Sequence, residues 1–208
     1  CRAGQLSMAQ RGDELMARGG AQAGDVIVLS LGVHYRQDGR EPGEPSASVE
    51  VSNVNASVPT LQRMAAAGLH LIWRDTLAQH FDTPSGWFPG NLAEWLRDNT
   101  TRKTCVPLRD PSVVWRRQHA VEQVLSRVSI VRLHSLVLSL PMWELHAQQS
   151  GSFVRKHHFR DCTHFCEHYS LYRSIAQEIA SIAYKYYGIQ CETSSKWRAS
   201  SGVKKLLN

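Results

Sequence analysis

Apolar residues along this chain recur with two different rhythms. Residues 25–31 (DVIVLSL), 69–75 (LHLIWRD) and 128–136 (VSIVRLHSL) are short runs rich in β-forming side chains, and they read as strands. Between them the spacing changes to threes and fours. Val51, Val54, Val58, Leu61 and Met64 mark a helix that Gly68 is suited to end and that Pro59 is expected to kink or to restart at Ser57. Val114, Val121, Leu125 and Val128 mark another. Tyr172, Ile175, Ala176, Ile179, Ile182, Ala183 and Tyr186 form a third stripe, which stops at Gly188. Strands alternating with helices predict an α/β fold with a parallel sheet covered on both faces, and functional groups then gather at the carboxyl ends of the strands. Residues 36–48 (RQDGREPGEPSAS) read as a loop, because apolar periodicity resumes straight after them. Residues 1–190 are therefore expected to form one domain, followed by a polar tail over 191–208.

With 208 residues, 42% of them apolar, the chain has material for one sizeable core. Lys and Arg number 24 against 18 Asp and Glu, but the basic residues are scattered rather than set in a stripe with interleaved aromatics. The nearest run, SFVRKHHFR at 152–160, is short, so nucleic acid is not an expected partner. The most apolar stretch is interrupted by Arg132 and His134, which leaves no span of the ~18 apolar residues a membrane helix requires. Five cysteines and two sequons, at Asn55 and Asn99, suit a lumenal or secreted protein.

The densest chemistry lies in RDCTHFCEHYS, residues 160–170. One reading is a zinc site drawn from His157, His158, Cys162, His164, Cys166 and His168, although these lie in one run rather than in two separated pairs. A second has the cysteines in disulfides beside surface histidines. In a third, Asp161 lies three residues before His164, so its carboxylate orients the imidazole through Nδ1 and leaves Nε2 to deprotonate a serine.

The order DVIVLSLGVHY, LIWRDTLAQHFDTPSGWF and RDCTHFCEHYS resembles the PC-esterase and trichome birefringence-like family, SGNH-type proteins that process acyl groups. The resemblance covers roughly residues 25–188. It implies a three-layer α/β/α SGNH-like sheet, with His164 as general base and acid and Asp161 as its orienting partner. It also places Gly32 and His34 at the oxyanion hole, where preorganised donors stabilise the charge of a tetrahedral intermediate. Arg74, His80 and Trp87 match a segment that would meet a sugar, with Trp87 as a stacking face; the alternative for Trp87 is a loop anchor. The same resemblance pairs Cys105 with Cys162.

The G-D-S block that carries the nucleophile in SGNH proteins is absent. Gly12-Asp13-Glu14 and Gly24-Asp25-Val26 offer no hydroxyl, and Ser30 sits inside an apolar run. In the family a Cys commonly follows that block by about one helix, a position Cys1 fits, so the domain is expected to be incomplete at its N-terminus with the serine upstream. Plant members follow the D-C-x-H-W-C core with a Leu-Pro-Gly turn; here the chain reads Glu167-His168-Tyr169-Ser170, a departure that bears on the substrate. The resemblance implies O-acetyl transfer or O-acetyl ester hydrolysis on a glycan or polysaccharide, with an acetyl donor and no cofactor or metal. It implies the secretory pathway, the Golgi lumen in particular, with any membrane anchor upstream. The alternative is a non-catalytic glycan-binding or structural protein of the same fold.

Overall fold

Three parallel strands organise the protein in the computed structural model, which describes residues 8–31, 47–83, 86–87, 104–146, 162–165 and 169–189. Strands β1 (Val26–Leu29), β2 (His70–Arg74) and β3 (Val131–Leu133) lie in the order β1-β2-β3, with Val26 opposite His70 and Ile72 opposite Val131. Parallel neighbours need crossover connections, and these contain α2 (Ala47–Ala66) and α3 (Pro111–Leu125). Helix α1 (Met8–Ala17) precedes β1. A short helix α4 (Ser135–Ser139), a 3-10 turn (Trp143–Leu145) and helix α5 (Tyr169–Tyr187) follow β3.

Side chains alternate across a strand, so each strand contributes to two layers. Leu29, Leu71 and Trp73 pack with Val54, Val58, Leu61 and Met64 of α2 and with Val121 and Leu125 of α3. On the other face Ile72 and Leu133, with Val26 and Val28 beside them, pack against Leu171, Ile175 and Ile182 of α5. The chain is thus an α/β protein whose sheet is covered on both faces. None of the described helices is long and apolar enough to cross a membrane.

Four expectations are corrected. Helix α2 does not restart at Ser57 but continues through Pro59. Proline removes one backbone donor, and the carbonyl it frees, that of Asn55, lies with Pro59 on the exposed side of the helix where water reaches it. The buried side, from Val54 to Met64, keeps its packing and holds the helix together. Pro59→Ala is therefore expected to raise stability by about 1–3 kcal/mol, read as a higher urea midpoint with an unchanged slope.

The second correction concerns β3, which ends at Leu133 instead of continuing through residue 136. Two buried serines turn the chain into α4. Ser135 Oγ donates to the Asp75 carbonyl at 2.5 Å, and Ser139 Oγ accepts from the Ala78 N–H at 2.9 Å. Third, the buried stripe of α5 is Leu171, Ile175, Ile182 and Ala183, whereas Tyr172 and Tyr186 are exposed. Fourth, α1 has no counterpart among the expected helices. Gly12 in its middle lowers helix propensity, yet a Cβ there would stand 2.7 Å from Thr60 Cγ2, so the glycine is what lets α1 lie close on α2.

Candidate functional site

The chain leaving the carboxyl end of β2 forms the surface on which the His164 segment rests. The His80 N–H donates to the Cys162 carbonyl at 3.0 Å, and the His80 carbonyl accepts from the Val106 N–H at 2.9 Å. Cys105 and Cys162 are bonded as a disulfide, with Cα atoms 5.3 Å apart. The two cysteines paired by the family resemblance are thus brought together, and the backbone of His80 lies between their segments. Phe165 is buried among Ile72, Leu77, Leu133 and Leu171. With Cys162 and Phe165 fixed on either side, His164 is held at the surface with its side chain exposed.

Beneath it lies a buried pair of histidines. His80 Nε2 is 3.0 Å from the Leu140 carbonyl, and His80 Nδ1 is 2.6 Å from His146 Nε2. A carbonyl only accepts, so the Leu140 contact places a proton on His80 Nε2. His146 Nδ1 lies 3.4 Å from the His164 carbonyl, and the His146 ring packs on Phe165 with centroids 4.0 Å apart. His80 is wholly buried, so its side chain is structural where the sequence suggested a sugar contact. Trp87 is likewise buried, and the Arg117 guanidinium lies 3.9 Å over its ring. That cation occupies a face a pyranose would need, and Trp87 serves as the loop anchor.

Burial pushes the His80 imidazole below its ordinary range, although its bond to Leu140 acts in the opposite sense. The unfolded chain therefore takes up a proton more readily than the folded one. Its contribution to stability is complete above the unfolded value near 6.5 and is lost as pH falls through that value towards the folded one. The urea midpoint is expected to drop between pH 7.5 and pH 5, by up to about 1.4 kcal/mol per pH unit for one proton. His80→Gln should flatten that slope; an unchanged profile would remove His80 as its source.

Charged residues collect at the carboxyl ends of the strands, Arg74 of the segment expected to meet a sugar among them. Arg74, the last residue of β2, donates from Nη2 to Ser30 Oγ at 3.1 Å, just beyond β1. Asp75 is fully buried; Arg132 Nη2 lies 2.9 Å from its Oδ1, and His134 Nδ1 lies 3.3 Å from its Oδ2. His134 itself is exposed at 58%, which leaves its outer nitrogen towards solvent. The signal lies in the sequence, since Arg-Asp closes one apolar run and Arg-Leu-His interrupts another, but the bond between Arg132 and Asp75 spans 57 residues and shows in no local pattern. Thr76 Oγ1 donates to the Leu31 carbonyl, which ties the exits of β1 and β2 together.

Asp161, Gly32 and His34 lie outside the described residues, as do Cys1, Cys166 and Cys191 and the tail. Of the six residues counted for zinc, Cys162 has its sulfur in the disulfide, and only His164 of the remaining five is described. Among the described residues no group of three or more His, Cys, Asp or Glu side chains converges as a metal site. Asn55 of the first sequon lies within α2, where its Oδ1 accepts from Arg127, and Ser57 of the same sequon is buried. No protein-family model matches the chain, and no curated protein or solved structure is significantly similar to it.

Proposed function

We propose that this chain carries the acid–base half of a serine acyl-processing domain of SGNH type, which hydrolyses or transfers O-acetyl groups on a glycan. In this reading His164 takes the proton of a serine and later returns it to the leaving oxygen, while Asp161 fixes the imidazole tautomer and stabilises the imidazolium. Gly32 and His34 donate to the developing oxyanion. The observation that carries the reading is the mounting of His164. An exposed imidazole stands between Cys162, held in the disulfide to Cys105, and buried Phe165. General bases need such rigid support, because small displacements cost large factors in rate. The disulfide also suits an oxidising compartment, and the proposed location is the secretory pathway.

The test is initial-rate hydrolysis of 4-nitrophenyl acetate, and of an O-acetylated oligosaccharide, by protein expressed from the complete reading frame. His164→Ala should lower kcat/KM by at least about 10⁴-fold while the protein stays folded, as read by an unchanged circular dichroism spectrum. Unchanged turnover would defeat the assignment. Glycan binding with no turnover in either protein would favour the non-catalytic alternative.

A further inference from the structure

We infer that His146 is a positioning residue for His164, fixing the backbone that carries the base; this rests on the acyl-processing reading and deepens it. His146 closes the 3-10 turn that follows α4, and its side chain is almost wholly buried. Neither His146 nor His80 reaches the surface, so neither ring meets a substrate. A buried imidazole is held where its nitrogens find partners. His146 Nε2 lies 2.6 Å from His80 Nδ1, and His146 Nδ1 lies 3.4 Å from the His164 carbonyl. The hydrogen of the second contact comes from His146, since the carbonyl has none to give.

What this contact adds is control of one peptide plane. The Cys162 carbonyl accepts from the His80 N–H at 3.0 Å, and the buried Phe165 ring packs on His146 with centroids 4.0 Å apart. Between these anchors the peptide unit joining His164 to Phe165 retains its own rotation, which is the ψ angle of His164. That rotation swings the exposed imidazole relative to the core. A bond from His146 to the His164 carbonyl sets the plane and so sets the direction of the side chain. His146 is itself held, by Phe165 on the ring face and by His80 at Nε2, and His80 is anchored in turn to the Leu140 carbonyl at the end of α4, 3.0 Å away. The surface base is thereby tied to the interior by a route separate from the disulfide. A base displaced by about 1 Å loses on the order of 10²-fold in rate, and the loss falls on the chemical step rather than on substrate binding.

The experiment compares His146→Leu with His146→Asn in protein expressed from the complete reading frame. Leucine fills most of the space of the ring without a donor, whereas the asparagine amide donates from the place of Nδ1. In hydrolysis of 4-nitrophenyl acetate, kcat per folded molecule is expected to fall at least about 30-fold in His146→Leu, with KM within about twofold of wild type. His146→Asn should recover at least about tenfold of that loss. His146→Gln, whose amide reaches the place of Nε2 and keeps the contact with His80, should lose activity as the leucine variant does, and it replaces that variant if leucine prevents folding. A kcat unchanged in the variants without a donor at Nδ1, or an equal loss in His146→Asn, would overturn the inference, because a residue that only fills space is not rescued by a donor. A second readout needs no turnover. The ¹³C resonance of the His164 carbonyl should move upfield in His146→Leu and return in His146→Asn, and a resonance indifferent to His146 would also overturn the inference. The two failures are separable: equal turnover in wild type and His164→Ala defeats the acyl-processing reading, and the carbonyl resonance then still reports whether His146 holds His164.

Discussion

Glu50→Ala is expected to destabilise the protein by about 3–5 kcal/mol, the largest effect of any single polar substitution considered. Glu50 lies in the first turn of α2, and Arg117 on α3 donates from Nε to its Oε2, with both side chains almost completely buried. Arg117 also covers the Trp87 ring, so one guanidinium joins α2, α3 and the loop that follows β2. Removing the carboxylate strands a cation in the interior. The intact pair is nonetheless not a large net source of stability. Burial raises the Glu50 carboxyl above its usual range even though Arg117 acts to lower it, so desolvation outweighs attraction. A raised carboxyl favours the folded state most below the unfolded value of 4.5, and that contribution fades as pH rises through the folded value. Replacing both partners, Glu50→Leu with Arg117→Met, should therefore recover most of what Glu50→Ala loses. Urea unfolding of the two single variants and the double variant reads the cycle, and additive losses would contradict it.

Opening the Cys105–Cys162 disulfide is expected to cost about 4 kcal/mol. The bond closes a loop with a sequence separation of 57 residues, and the chain-entropy relation for a loop of that size gives roughly this value. The local effect should be larger than the global one suggests. The same bond clamps the His80 backbone between Cys162 and Val106 through hydrogen bonds of 3.0 and 2.9 Å. In a Cys105→Ser, Cys162→Ser variant the amides of His80 and Val106 should exchange with solvent faster, while those of β2 stay protected to the same relative degree. Dithiothreitol on the wild type should reproduce the loss. A urea midpoint insensitive to reductant would show that the bond contributes nothing.

The parallel α/β arrangement was legible because β1, β2 and β3 are continuous apolar runs and α2 and α3 carry a clear periodicity. Their ends were less so. The expected restart of the helix at Ser57 rested on a local rule that gave way to packing, since Val54, Val58, Leu61 and Met64 are buried while Pro59 is exposed. Residues 134–136 looked like strand until two serine hydroxyls, bonded to Asp75 and Ala78, redirected the chain; those bonds span about sixty residues of sequence and leave no trace in a local pattern. Gly12 hid α1 for a related reason, because its use lies in the neighbouring helix. At the site, the spacing of Asp161 and His164 was visible in a four-residue window. The burial of His80 was not, because it depends on Leu140 and His146, both about sixty residues away. Arg74 stood out by type, but its bond to Ser30 spans 44 residues of sequence and shows in no local pattern.

The central claim is that His164 activates a serine. The most direct measurement is covalent labelling of the protein, expressed from its complete reading frame, with a fluorophosphonate, followed by mass spectrometry of the labelled peptide. A single labelled serine, with a labelling rate that falls by at least about 10³-fold in His164→Ala, is the predicted result. Absence of any labelled serine in folded protein, or a rate indifferent to His164, would contradict it.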